Sequence, residues 1–279
     1  MFFVTMKKVL LQFMLFCIVS YAGGATNDLW FPVGEKLVYR LYWGVIPVGI
    51  CEMSTQWMEV EGRTLLSIKA IAKTTSVVSK IYPVNDYVET RINPETFLPV
   101  EYVQKLREGR HVRDDIVSFN HAGCVAIWKS AKQNAANVTK EIKIERDTRD
   151  VLCLAYYMRS KGLAVGQEEG FRVLVDDKIY DLQVTGLGYE TMNVEEFKDV
   201  KCLVVEPRAA FGGIFVRKGR VALWFSEDMR RICTRMTGKL SVANLKAILM
   251  AVGGPGDDAW SRNVRKTVES TDRSNEDNT

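Results

Sequence analysis

The sequence predicts a mainly β protein, a curved antiparallel sheet forming an incomplete, half-open barrel with one central helix. Three observations predict it. Apolar residues alternate with period two along most of the chain. Glycine-centred turns cut that alternation at intervals of about ten residues, the spacing of an antiparallel meander. A single segment switches to helical periodicity and is apolar around nearly its whole circumference, so it has to be covered on several sides.

The alternation begins after Gly34. Leu37, Tyr39, Leu41 and Trp43 fall on one face of a strand, with Lys36, Val38, Arg40 and Tyr42 on the other. Gly44 to Gly49 reads as a turn, and Ile50 to Val60 as the returning strand. Three turns of the same kind, Glu61-Gly62-Arg63, Glu108-Gly109-Arg110 and Lys218-Gly219-Arg220, separate runs rich in β-branched and aromatic residues. Glycine there supplies the positive φ of a three-residue hairpin loop with a bulge. Asp176-Asp177 reads as a fourth tight turn. Ser76 to Ile81 suits a short helical turn before Pro83, and Pro94 and Pro99 bracket a loop. The helical segment is Asp147 to Gly162. Asp147 or Asp150 can cap its N-terminus, Arg159 and Lys161 complement its negative end, and Gly162 suits the left-handed position beyond it. Lys239 to Val252 fits a strand and a helix equally.

The ends of the chain read differently from its body. Lys7 and Lys8 precede an apolar run, Val9 to Val19, too short to span a bilayer, followed by Ser20, Ala22, Gly23, Gly24 and Ala25. This is the order of a cleaved secretory signal over residues 1–25. It leaves one β-rich domain at 26–252 and an exported protein, periplasmic or extracellular. No later stretch is long and apolar enough for a transmembrane segment. From Gly253 the polar, aromatic-poor run GGPGDD to Thr279 reads as a disordered tail, with Trp260 its sole sticky residue.

Composition excludes several partners. The formal charge is +4 over 279 residues, and loss of Lys7 and Lys8 would lower it to +2. Nucleic acid demands a far denser basic patch. Five cysteines, Cys51, Cys124, Cys153, Cys202 and Cys233, lie beyond the signal. Their odd number, the absence of a CxxC pair and the presence of only His111 and His121 favour buried free thiols over disulfides or a zinc site. No cofactor motif is present. Gly186-x-Gly188 and Gly212-Gly213 lack the flanking pattern of phosphate loops and read as bends in strands.

The runs GEKLVYRLYWGVIPVG (Gly34 to Gly49), RDVLCLAYYMRS (Arg149 to Ser160) and KGRVALWFSEDMRRI (Lys218 to Ile232) together resemble a bacterial exported family, the domain of unknown function numbered 3108. The likeness extends from about Leu29 to Leu249. The sequence departs from the family where Cys233 follows Ile232 in place of the usual proline. The resemblance implies an envelope protein of mostly antiparallel strands and carries no activity with it.

Catalytic readings are thin. There is no GxSxG elbow, and a Ser-His-Asp triad would have to use His111 or His121, both near turns. Neighbouring carboxylates such as Glu227-Asp228 and Asp114-Asp115 point to opposite faces of a strand, so none is by itself a glycosidase pair. What remains is an aromatic and apolar lining with cationic anchors: Tyr39, Trp43, Trp128, Tyr156, Arg159, Phe215 and Trp224 as ligand-binding candidates, with Trp57, Arg208 and Arg230 beside them. The plain alternative is core packing, since large aromatics dominate any β core. A sheet that does not close tightly can instead hold an apolar ligand, a lipid or a lipoprotein acyl chain, with the helix as its plug. The alternatives are an envelope protein-protein interaction module working through a sheet edge and the tail, and a hydrolase using Glu227 or Asp228.

Overall fold

The computed structural model describes residues 29–132, 136–195, 197–209, 221–239, 244–256, 258 and 260. Its strands are β1 (Lys36–Trp43), β2 (Ile46–Val60), β3 (Arg63–Thr74), β4 (Asn85–Asn93), β5 (Leu98–Glu108), β6 (His111–Asn120), β7 (Val125–Lys132) and β8 (Val138–Lys143). They continue as β9 (Arg149–Asp150), β10 (Glu168–Val175), β11 (Lys178–Val194), β12 (Phe197–Ala209), β13 (Val221–Ser226), β14 (Cys233–Lys239) and β15 (Asn244–Gly253). An α-helix, α1 (Val151–Met158), interrupts them after β9.

All these strands belong to one sheet ordered β8-β7-β6-β5-β4-β3-β2-β1-β15-β14-β13-β12-β11-β10-β9. It is two meanders joined along a single seam, β1 against β15, where Leu37 pairs with Val252 and Trp43 with Leu245. Every pairing is antiparallel except the short β9–β10 contact. The sheet curls until its ends approach without forming a ladder. Val117, Trp128 and Ile142 of β6 to β8 pack against Leu174 of β10, and Arg113 and Lys140 form ion pairs at 2.7 and 2.9 Å with Asp176 and Asp177 of the β10–β11 turn. The barrel is therefore half-open, held at its gap by side chains.

Two of the three glycine turns lie among the described residues, and both are tighter than expected. Glu61 and Gly62 both take positive φ, 51° and 73°, between the paired Val60 and Arg63. That is a two-residue loop whose twist matches the flanking strands. Gly109 (φ 58°) opens another between Glu108 and His111, and Asp176 (φ 53°) a third. Lys218 to Arg220 lie outside the described residues. The first turn is also shorter than Gly44 to Gly49, because β2 starts at Ile46. A 3-10 turn covers Val78–Lys80, Pro99 enters β5 beside a register shift, and Asn244–Gly253 is a strand. Gly186 sits at another shift, where a Cβ would come within 2.4 Å of the Ala164 carbonyl oxygen.

The helix is shorter than its periodicity suggested. Asp150 is extended and its carboxylate accepts from the backbone N–H of Leu152 and Cys153, so α1 starts there, while Arg149 and Asp150 are held by their bridge to Val173 and Leu174. Gly162 does not adopt the left-handed conformation. The helix ends in a turn through Lys161, and Gly162 leaves room for the Arg231 guanidinium. Leu152, Cys153 and Tyr156 pack with Leu66, Ile68 and Ile92, whereas Leu154 and Met158 pack with Phe171, Val184 and Val205. The helix thus bridges the concave faces of both meanders.

Within the stretch expected to be disordered, residues 254–256, 258 and 260 are described, and several of them make contacts with the body. A Cβ on Gly254 would collide with the Gly34 carbonyl oxygen at 2.2 Å, Asp258 meets Arg230, and Trp260 is buried against Phe197. Residues 261–279 lie outside the described residues, as does the expected signal at 1–25. No helix among the described residues is long and apolar enough to cross a membrane.

Candidate functional site

A cavity of about 220 Å³ lies between α1 and the seam region of the sheet. Its construction follows from strand alternation. Leu37, Tyr39 and Leu41 of β1 line it with Cys51 and Met53 of β2, and Leu223 and Phe225 of β13 close the opposite wall. Cys233 and Met236 are three residues apart and should face opposite sides of a regular strand. A register shift between Trp224 and Phe225 puts both on the cavity. Small side chains, Ala155 on α1 and Ala247 on β15, leave the space unfilled.

One end of the cavity is closed by a buried ion cluster. Glu35, with no solvent exposure, accepts from Arg159 Nη1 and Nη2 at 2.6 and 2.9 Å and from Arg230 Nη2 at 2.6 Å. Arg159 Nε donates to the Arg230 carbonyl oxygen at 2.9 Å, and Arg230 reaches on to Asp258. Burial alone would raise the Glu35 pKa, but the two guanidiniums outweigh it and hold the carboxyl below its ordinary value. Charges this deep persist only as hydrogen-bonded pairs. The other end is a mouth, where Met236 is 43% exposed and Leu41 and Ala247 are half-buried.

The polar atoms of the lining are largely spoken for. Tyr39 Oη donates to the Cys233 carbonyl oxygen at 2.9 Å. Burial pushes the thiols of Cys51 and Cys233 up to about 11 and 12, so both remain neutral and behave as small apolar groups. Tyr156 Oη is the exception: it is buried, its pKa is raised by burial and by the nearby Glu35 carboxylate, and it has no hydrogen-bond partner among the described residues.

Of the predicted ligand-binding residues, the cavity unites Tyr39, Tyr156 and Arg159. Arg159 is clamped by Glu35 and serves as a wall of the site. Trp43 stands at the tip of β1, 50% exposed, beyond the mouth. Trp224 lies between Leu223 and Phe225 and so points to the outer face, where its Nε1 donates to Glu190 at 2.8 Å and Arg235 covers its ring. Trp128 is buried at the barrel gap with Val117 and Leu174, far along the sheet from the cavity strands. Phe215 lies outside the described residues. Trp57 is exposed on β2, Arg208 pairs with Glu206 on β12, and Arg230 belongs to the ion cluster. Sequence reasoning missed Glu35, Ala155, Phe225 and Ala247. A lone acid after Phe31-Pro32-Val33-Gly34 was the available sign of Glu35; a small residue that leaves space announces nothing.

The catalytic alternatives meet competing partners. His121 Nε2 donates to the Pro99 carbonyl oxygen at 2.8 Å and its ring stacks on Phe119, while His111 is exposed. Glu227 is paired with Lys201, and Asp228 accepts from the backbone N–H of Arg230 and Arg231 and from Trp260 Nε1. Cys51, Cys124, Cys153, Cys202 and Cys233 are all free thiols.

No curated protein matches the chain. Among solved structures it is similar to the crystal structure of a beta-barrel-like protein of the domain of unknown function DUF1849 from Brucella abortus. That likeness has a TM-score of 0.54 at 10% identity over 81% of this chain and 99% of that one, and speaks for the fold alone. Residues 38–250 match the family model for proteins of unknown function DUF3108, a range that takes in most of the seam, the helix and the cavity lining apart from Leu37, and the chain belongs to that family.

Proposed function

We propose that this protein is an exported, non-enzymatic binder or carrier of an apolar ligand, one acyl-type chain of a lipid or lipoprotein held between α1 and the β1–β15 seam. The observation that carries the reading is the cavity itself: about 220 Å³, walled by Leu37, Leu41, Met53, Leu223 and Phe225 and nearly devoid of free polar groups. Its size selects the ligand class. Pockets for drug-sized molecules run to roughly 300–1,000 Å³, so this one suits a thin chain. The unpartnered Tyr156 Oη supplies one polar contact where the chain carries an oxygen.

Magnitude limits the affinity. Burying roughly eight methylenes at about 0.8 kcal/mol each yields some 6 kcal/mol, short of the roughly 8 kcal/mol of micromolar binding. The remainder of a tightly held ligand must therefore gain contacts at the mouth.

Native mass spectrometry of protein purified from its own host is the test, with an expected mass increment of one apolar passenger per chain. Ala247→Phe, which fills the space from the seam side, should remove the passenger and leave the far-ultraviolet circular dichroism unchanged. A passenger-free wild type that also fails to take up a fluorescent fatty acid would overturn the reading.

A further inference from the structure

The meander places its turns at two ends, and one end is apolar. The β1–β2, β3–β4 and β5–β6 connections and the start of β15 lie together there, as backbone hydrogen bonds between them establish. Thr75 N–H donates to Val48 at 2.9 Å, Gly109 N–H to Pro83 at 2.7 Å and Gly44 N–H to Asn244 at 2.7 Å. On this continuous rim Val45 is 85%, Val77 72% and Ile81 87% exposed, with Trp43, Ile46 and Tyr82 at least half exposed beside them. Scattered single apolar residues need no explanation, but a contiguous group on adjoining turns marks a contact surface.

Charge identifies the partner. Lys73, Lys80 and Arg110 are exposed around these tips and have no ion-pair partner among the described residues. Lys246 lies over the Tyr42 ring at 5.2 Å. Of the nearby carboxylates, Asp86 accepts from the Arg107 backbone N–H and Asp114 pairs with the Arg107 guanidinium, which leaves Glu108 facing several unpaired cations. Apolar tips ringed by unpaired cations match the layered chemistry of a bilayer face, an acyl boundary beneath phosphate groups. The cavity mouth at Leu41 and Met236 opens on the same side.

We propose that this rim docks on the surface of a membrane containing anionic lipids, with Val45, Ile46 and Ile81 entering the headgroup layer while Lys73, Lys80 and Arg110 meet the phosphates. The docking goes beyond the ligand reading and stands whether or not the cavity is filled.

The test is flotation of the full chain, as recovered from its host, with phosphatidylcholine vesicles with and without phosphatidylglycerol, joined to hydrogen exchange on the vesicle-bound protein. Binding should require phosphatidylglycerol and weaken as salt rises from about 0.1 to about 0.5 M. The segments Trp43 to Ile46 and Val77 to Tyr82 should gain protection. Val45→Asp with Ile81→Asp should lower the bound fraction about tenfold and remove that protection, with circular dichroism unchanged because both sites are exposed. Failure to bind anionic vesicles overturns the proposal, as does binding that protects other segments only. Self-association abolished by the same variant, without vesicle binding, would assign the rim to a second copy of the chain and overturn it equally.

Discussion

The two ends of the half-barrel solve opposite problems. At the closed end, Glu35, Arg159 and Arg230 bury three charges and satisfy each other, and Trp260 packs nearby from the C-terminal side, donating to Asp228. At the rim Lys73, Lys80 and Arg110 are left unpaired in solvent, and apolar side chains are left uncovered beside them. Residues expensive to leave unmatched are matched at one end only. That contrast teaches where stability and where contact reside: the closed end holds the chain together, and the rim is free to be used.

If that division is right, substitutions at the two ends should differ in kind. The largest loss is expected from Glu35→Ala, which leaves two buried guanidiniums facing one half-exposed Asp258; roughly 3–5 kcal/mol should disappear in urea titration. The wild-type cluster should also be acid-labile. The folded Glu35 pKa lies below its unfolded value, so its contribution is complete above that unfolded value and drains as pH falls through the lower, folded one. Trp260→Ala should cost about 3 kcal/mol by the same measurement, since it empties the space against Phe197 and frees Asp228. A Trp260 that costs nothing would break the picture of a packed closed end.

The helix start is a smaller lever. Asp150→Ala removes a cap and should cost about 1–2 kcal/mol. Asp150→Asn sharpens the test, because burial raises the Asp150 pKa from 3.8 to about 6. A carboxyl whose folded pKa is raised takes up protons on folding, so wild type should lose stability as pH rises through that interval, and the asparagine variant should not. The smallest effect is predicted at the rim: Val45→Asp should change stability by less than about 0.5 kcal/mol while altering whatever the rim touches.

Period-two alternation and turn glycines made the sheet legible in the sequence, because both are local and repeated. Helix length was not, because its limits are set by a tertiary bridge from Arg149 and Asp150 to β10. The site was half legible. Tyr39 and Tyr156 follow from alternation and helical spacing, but Trp224 obeys the same alternation on the other face, and no local rule says which face is concave. Trp260 was misread because a tryptophan among polar residues looks the same whether it waits in solvent or docks on a distant strand. Deleting everything from Gly253 would therefore damage the core, and a milder truncation after Trp260 is the cleaner probe of the tail.

The seam between β1 and β15 has a consequence for assembly. Each meander is built from neighbours in sequence, and only this one ladder ties the first strand to the last, with α1 inserted across both halves. Loop closure across almost the entire chain must precede that ladder, so the joint should form late and slowly compared with the hairpins. Until the final strand arrives, the left half presents β1 as a bare template. A polypeptide severed between β8 and β9 should then reassemble from its two pieces, zipped at the middle of the sheet and pinned by the helix.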